Sequence, residues 1–247
     1  MLRLLVLMPM LTHSLAAQSP EGTDPMGQRF AEPKAEKSLR VLLVGSGSSH
    51  DFPKYFLGTD EKTLRAAGGM DVAATPNLEE AFVLIKQADV LVFSGNHDQY
   101  GKPEFQKALN DFADAGKGVV LLHAATWDHA DWKGYNDRFV GGKTNSHGKG
   151  DFEVTVKDAS HAVMKSVPAT FKIYDENYRF AFDGRAKVDL LAENAPDGGK
   201  NPLPSIWVVK DPKARIVCMT LGHDDKAHDN AAYKEILTNA VHWVAGH

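Results

Sequence analysis

Three histidines that follow apolar, strand-like runs each precede an aspartate: His50-Asp51, His97-Asp98 and His223-Asp224. A fourth histidine, His123, follows the apolar run Val119-Val120-Leu121-Leu122. Near neutral pH, imidazole and carboxylate exchange protons as general base and acid. They also ligate divalent metals, imidazole favouring Zn, Ni, Fe or Cu and carboxylate adding a hard oxygen. The chain has no H-x-x-x-H or H-E-x-x-H pair, so a metal site here must be assembled from residues distant in sequence. Two further segments offer the same groups. One is the glycine-rich stretch Gly141-Gly142-Lys143-Thr144-Asn145-Ser146-His147, and the other is the acid pair in Asp175-Glu176-Asn177-Tyr178. Trp127 and Trp132 lie close after His123 and offer flat faces to a sugar ring, whereas Trp207 and Trp243 read as core.

Nucleophilic catalysis finds little support. Cys218 is the one cysteine and sits inside Ile216-Val217-Cys218-Met219, an apolar strand-like run that buries it. Ser46, Ser48 and Ser49 have no evident base beside them. The residue after Val119-Val120-Leu121-Leu122 occupies the strand-to-helix elbow that holds Ser or Cys in hydrolases and amidotransferases of this layout, and here it is histidine.

The histidines depend on the elements that carry them. Leu39-Arg40-Val41-Leu42-Leu43-Val44-Gly45 is a short continuous apolar run, the mark of a strand buried on both faces. Strands are also expected at 70–75, 89–94 and 119–122. Between them Leu78, Ala81, Phe82 and Ile85, and then Phe105, Leu109, Phe112 and Ala113, recur at helical spacing. The first half therefore reads β-α-β-α-β-α-β, a doubly wound and mostly parallel sheet with right-handed crossovers. The second half adds strands near 152–156, 171–175, 187–192, 205–209 and 215–220, and a last helix near 229–245. Phe152-Glu153-Val154-Thr155-Val156 alternates as a half-exposed strand does. Ligands bind beyond the carboxyl ends of the strands in such sheets, and His50, His97, His123 and His223 each follow a strand.

Composition bounds the rest. The 247 residues are 43% hydrophobic and 24% charged, with net charge −4, so no basic footprint for nucleic acid is present. Met1-Leu2-Arg3, the apolar run from Leu4 to Leu11 and Ser14-Leu15-Ala16-Ala17 read as a secretory signal peptide over 1–17, too short to span a bilayer. A polar linker is expected over 18–37 and one α/β domain over 38–247. The mature protein is expected to be exported, to the periplasm or beyond.

As an ordered set, Gly118-Val119-Val120-Leu121-Leu122-His123-Ala124-Ala125, Phe139-Val140-Gly141-Gly142-Lys143 with His147, Asp158 to His161, Asp175-Glu176-Asn177-Tyr178, Arg215-Ile216-Val217 through Leu221-Gly222-His223-Asp224, and Asn230 to Gly246 resemble the trehalose-utilisation (ThuA-like) family over about residues 38–247. The resemblance implies a class I glutamine amidotransferase-like fold with a flavodoxin-like layout, without the amidotransferase cysteine. It implies a role in catabolism of trehalose and related disaccharides through 3-keto intermediates. It also implies His123, His147, Glu176, His223 and Asp224 as site positions. Two departures stand out: Asn177 where an apolar residue is expected, and Thr144 where an aromatic is common.

The expected roles are then as follows. His123, His223 and Glu176 are catalytic. His50, His97, Trp127, Lys143, Asp224 and Asn230 contact substrate. His123, His147 and His223 are the set for a divalent metal such as Zn. The substrate is a small sugar or glycoside, with self-association left open. One reading is an enzyme acting on keto-sugars as lyase, hydrolase or isomerase; the alternative is a non-catalytic sugar-binding module that supports a partner enzyme.

Overall fold

The computed structural model describes residues 29–32, 34, 38–95, 101–127, 132–195 and 200–246. The expected signal peptide, most of the expected linker and His97 lie outside these residues. The described part of the linker is folded onto the domain. Phe30 is buried, the Ala31 amide donates to the Asp71 carboxylate, and the Ala31 carbonyl accepts from Arg40.

A single nine-stranded sheet forms in the order β2-β1-β3-β4-β9-β8-β7-β5-β6. Its strands are β1 (Leu39–Ser46), β2 (Met70–Thr75), β3 (Val90–Gly95), β4 (Gly118–Leu122), β5 (Gly142–Val156), β6 (Thr170–Phe182), β7 (Val188–Asn194), β8 (Leu203–Lys210) and β9 (Arg215–Met219). The first five in spatial order, β2-β1-β3-β4-β9, are parallel. This is the flavodoxin-like order that the family resemblance implies, on the doubly wound sheet that the β-α alternation predicts. The other four join antiparallel.

The parallel strands are apolar without interruption because both faces are covered. Val41, Leu43, Val92, Val120 and Val217 pack on one face, under α1 (Asp60–Ala67) and α4 (Ala231–Val244). Leu42, Val44, Leu91, Phe93, Leu121 and Cys218 pack on the other, under α2 (Leu78–Leu84) and α3 (Pro103–Asp114). Each such side chain contributes about 1.5–3 kcal/mol when fully buried. Pro103 opens α3 at a position where a missing N–H costs nothing. Asn77 and Asn230 cap α2 and α4 by accepting from the first free amides. At Gly118, α4 comes so near β4 that a Cβ would stand 2.7 Å from that of Val244.

The second half differs from expectation in two places. Residues 142–147 read as a loop in sequence but begin β5, with only Gly141 (φ 80°) turning the chain before it. The acid pair is expected at a strand end but lies in the middle of β6. Pairing between β5 and β6, from Thr155↔Thr170 to Gly142↔Phe182, holds residues of poor strand propensity in a long two-stranded arm.

Candidate functional site

Three histidines reach one point from three strand ends. The chain leaves β4 through His123, whose φ of 43° is in the left-handed region, and continues into a short 3-10 turn, His123–Thr126. Such backbone costs about 1–3 kcal/mol and persists where the surroundings enforce it. The elbow thus exists and carries a fully buried imidazole. Its Nδ1 stands 2.6 Å from the Thr220 carbonyl. A carbonyl only accepts, so Nδ1 donates and Nε2 faces the site. His50, beyond β1, has Nδ1 2.7 Å from the Ser49 hydroxyl and packs edge-on against Phe52 and Phe56. His223 follows β9 in a loop fixed by Asp175, whose buried carboxylate accepts the amides of Gly222 (2.7 Å), His223 (2.9 Å) and Glu176 (2.7 Å). Gly222 has φ 114°, and a side chain there would press on the Tyr233 hydroxyl.

Glu176 comes to the same point from the arm. Its Oε2 is 3.4 Å from His123 Nε2 and 3.2 Å from His223 Nδ1, and its Oε1 is 3.3 Å from His147 Nδ1. One ligand atom from each of His50, His123, Glu176 and His223 falls within 4.8 Å of the others. Burial, then the neighbouring His123 and His223, push His50 down to about 3. Burial pushes Glu176 up, but its contacts with His123 and His223 outweigh it and hold the carboxyl below the usual range. Burial pushes Asp175 up against the N–H donors around it.

A cavity of about 280 Å³ opens on this cluster, lined by Ser49, His50, Ala124, Trp127, His147, Glu176 and Tyr178. Tyr178 lies over His123, ring centres 4.3 Å apart, and Trp127 stands edge-on to Tyr178 at 5.2 Å. His147 is half-exposed at the rim, 5.9 Å from the Trp127 ring.

The structure therefore brings His123, His223 and Glu176 together as expected, with Trp127 on the cavity wall. His50, expected only to touch substrate, joins the cluster, while His147, expected in the metal set, stands on the far side of Glu176. Three residues expected to contact substrate have other partners or stand off the cavity lining. Asn230 caps α4 and donates to the Lys172 carbonyl. Asp224 pairs with Lys149 at 2.8 Å and caps the helical turn Asp225–His228. Lys143 is exposed on β5 and does not line the cavity. Trp132 is core, against Phe105, Tyr135 and Phe139. Cys218 is fully buried, and burial pushes its thiol well up, so it is no nucleophile. The two departures are absorbed locally: Asn177 donates to Asn194, and Thr144 to the Thr126 carbonyl.

Sequence reasoning missed a second buried group behind His223. His228 has Nδ1 2.7 Å from Asp60 and Nε2 3.0 Å from the Gly222 carbonyl, and Tyr233 donates to Asp60. Both ring nitrogens face acceptors, and although burial pushes His228 down its pairing with Asp60 raises it. Asp60 and His228 lie 168 residues apart, and no local pattern pairs them; His228 does precede an aspartate, Asp229, but follows no predicted strand.

No curated protein sequence matches the chain significantly. Among solved structures, a ThuA-like protein from Parabacteroides merdae ATCC 43184 is similar at 20% identity and TM-score 0.74, over 85% of this chain and 91% of that one. A ThuA-like protein from Bacteroides uniformis ATCC 8492 is similar at 20% identity and TM-score 0.70, over 87% and 95%. A GMP synthase-type protein from Thermoplasma acidophilum shares the fold at 12% identity and TM-score 0.56, over 85% and 96%. These likenesses agree with a mixed, mostly parallel sheet of the glutamine amidotransferase-like kind. The family model described as trehalose utilisation matches residues 40–244, and the chain belongs to that family.

Proposed function

We propose that the protein acts on keto-sugars or keto-glycosides derived from disaccharides, by proton transfer beside the carbonyl. Family membership supports a carbohydrate-related role. The observation that carries the finer reading is the cluster of His50, His123, His223 and Glu176 under an aromatic wall. The cavity is at the lower edge of the ~300–1,000 Å³ of small-ligand sites, a size for one sugar ring rather than a polymer. Trp127 and Tyr178 offer faces for that ring.

A keto group acidifies the neighbouring C–H, so a modest base suffices. A histidine takes that proton, the electron pair forms the enol, and its return expels the glycosidic oxygen, which takes a proton from the protein. No oxidant or reductant is consumed. The elbow holds a histidine and the thiol is buried, so neither position supplies the nucleophile of acyl-enzyme chemistry, whereas Ser49, expected to have no base beside it, has its hydroxyl 2.7 Å from His50 Nδ1 on the cavity wall. The proposed place of action is outside the cytoplasm, on the strength of the leader-like residues 1–17.

The test is product analysis by NMR after incubation with 3-keto-disaccharides and with the unoxidised sugars. Elimination or isomerisation of the keto substrates alone is expected. Binding without conversion would instead favour a sugar-binding module. Neither binding nor conversion would overturn the reading.

A further inference from the structure

We propose that His50, His123, Glu176 and His223 form a binding site for one first-row divalent cation of the Zn²⁺, Fe²⁺ or Ni²⁺ class. The inference deepens the reading above: it concerns the same cavity and rests on that reading only for what the cation does to a sugar.

Three buried ring nitrogens carry it. His50 Nε2, His123 Nε2 and His223 Nδ1 are buried and make no hydrogen bond. Native structures rarely leave such atoms unpartnered, and three converging on one carboxylate calls for a shared partner. The approaches of His123 and His223 to Glu176 are close but not aligned as hydrogen bonds. A proton on one ring would serve one nitrogen and one oxygen and leave the other two rings unserved. A cation among the four donors serves all of them.

The Glu176 contacts and the outer contacts fit, and the donors, within 4.8 Å of one another, need each move by only about half an ångström for all four to share one ion. Metal bonds of about 2.0–2.1 Å to His and Glu place neighbouring tetrahedral ligands roughly 3.3 Å apart. The contacts from Glu176 Oε2 to the two histidines are 3.4 and 3.2 Å. His123 donates its other N–H to a backbone carbonyl, as metal-bound histidines do to fix the ring and its tautomer. His50 has a hydroxyl in the equivalent place. Asp175 clamps the amides of both His223 and Glu176. Imidazoles and one carboxylate, with no thiolate, exclude a soft-metal preference.

The cavity lies on one side of the cluster, so a substrate oxygen can approach a bound cation from there. The four ligands would then hold a Lewis acid against the sugar carbonyl. His147, outside the set yet on the cavity wall, is the imidazole placed to move the proton.

The test uses full-length protein stripped with a chelator and titrated with Zn²⁺ and Co²⁺ by calorimetry, with Co²⁺ absorption read in parallel. One cation per chain is expected, with ligand-field bands of a nitrogen and oxygen site. His50→Asn and His223→Asn should each weaken binding at least ~100-fold, while His161→Asn, remote from the cluster, should not. The wild-type Co²⁺ spectrum keeps the test decisive even if a variant fails to fold. No stoichiometric binding, or equal affinity in a folded His50→Asn, Glu176→Gln double variant, overturns the site. Binding without keto-sugar conversion would leave the site and remove the substrate reading. Conversion by fully stripped protein would keep the substrate reading and remove the cation's part in the reaction.

Discussion

The parallel half of the sheet and the β5–β6 arm contribute to one site in different ways. His50, His123 and His223 stand at the ends of strands whose side chains are packed on both faces; His50 and His123 are held by contacts inside that frame, and His223 is gripped from the arm by Asp175. Glu176, His147 and Tyr178 come from a two-stranded arm, of which residues 145–149 form an unbroken exposed run. The frame fixes imidazoles to a point; the arm lays a carboxylate and an aromatic wall over them. Asp175 ties the two together, since it belongs to the arm and grips the loop of the frame. A site divided this way takes its precision from the frame and its cover from the arm.

The largest effect should come from the frame. His123→Asn keeps a residue that tolerates left-handed backbone but removes the buried Nε2, so kcat/KM on a keto-disaccharide should fall by ~10²–10⁴. Unchanged kinetics would separate the elbow from the chemistry. Next comes the tie. Asp175→Asn places an amide among N–H donors, and supporting contacts of this kind are worth about 10–100-fold in activity or metal affinity. Rates within about twofold of the parent would show that the arm does not position His223.

On the arm's side of the cavity the effect should be smaller and of another kind. Trp127→Ala removes a stacking face worth about 0.5–1.5 kcal/mol, so KM should rise about 2–10-fold with kcat nearly kept. A fall in kcat alone would mean that Trp127 shapes the chemistry rather than holding the ring.

The smallest effect concerns stability. His228 is paired with Asp60, with Tyr233 and Asp175 also near, and its folded pKa is raised above 6.5. A raised histidine lends stability that is complete below its unfolded pKa and fades as pH rises through the folded value. Denaturant melts should therefore show stability declining above about pH 6.5, and a flatter profile in His228→Gln. An equal slope in both would detach the buried pair from this decline.

The same contrast explains what was legible in the sequence. Strands buried on both faces announce themselves as apolar runs, and the histidines after β1, β4 and β9 could be placed by that fact. The arm was less legible. Asn145, Gly148, Lys149 and Gly150 favour loops, and only pairing with β6 makes them a strand. Asp175 and Glu176 read as the end of a strand because their partners, the 222–223 amides and three histidines, lie far along the chain. For the same reason the nearness of His50 to His123 and His223 was not legible: only the packing of Phe52 and Phe56 turns His50 inward.

The most direct test follows a proton. A 3-keto-disaccharide in D₂O is incubated with wild-type protein, and deuterium at the carbon beside the carbonyl is read by NMR or mass spectrometry. The account predicts protein-dependent exchange or elimination at that carbon, reduced at least ~100-fold in His123→Asn. Wild-type protein that leaves that C–H at the uncatalysed rate, with the sugar bound, would contradict it.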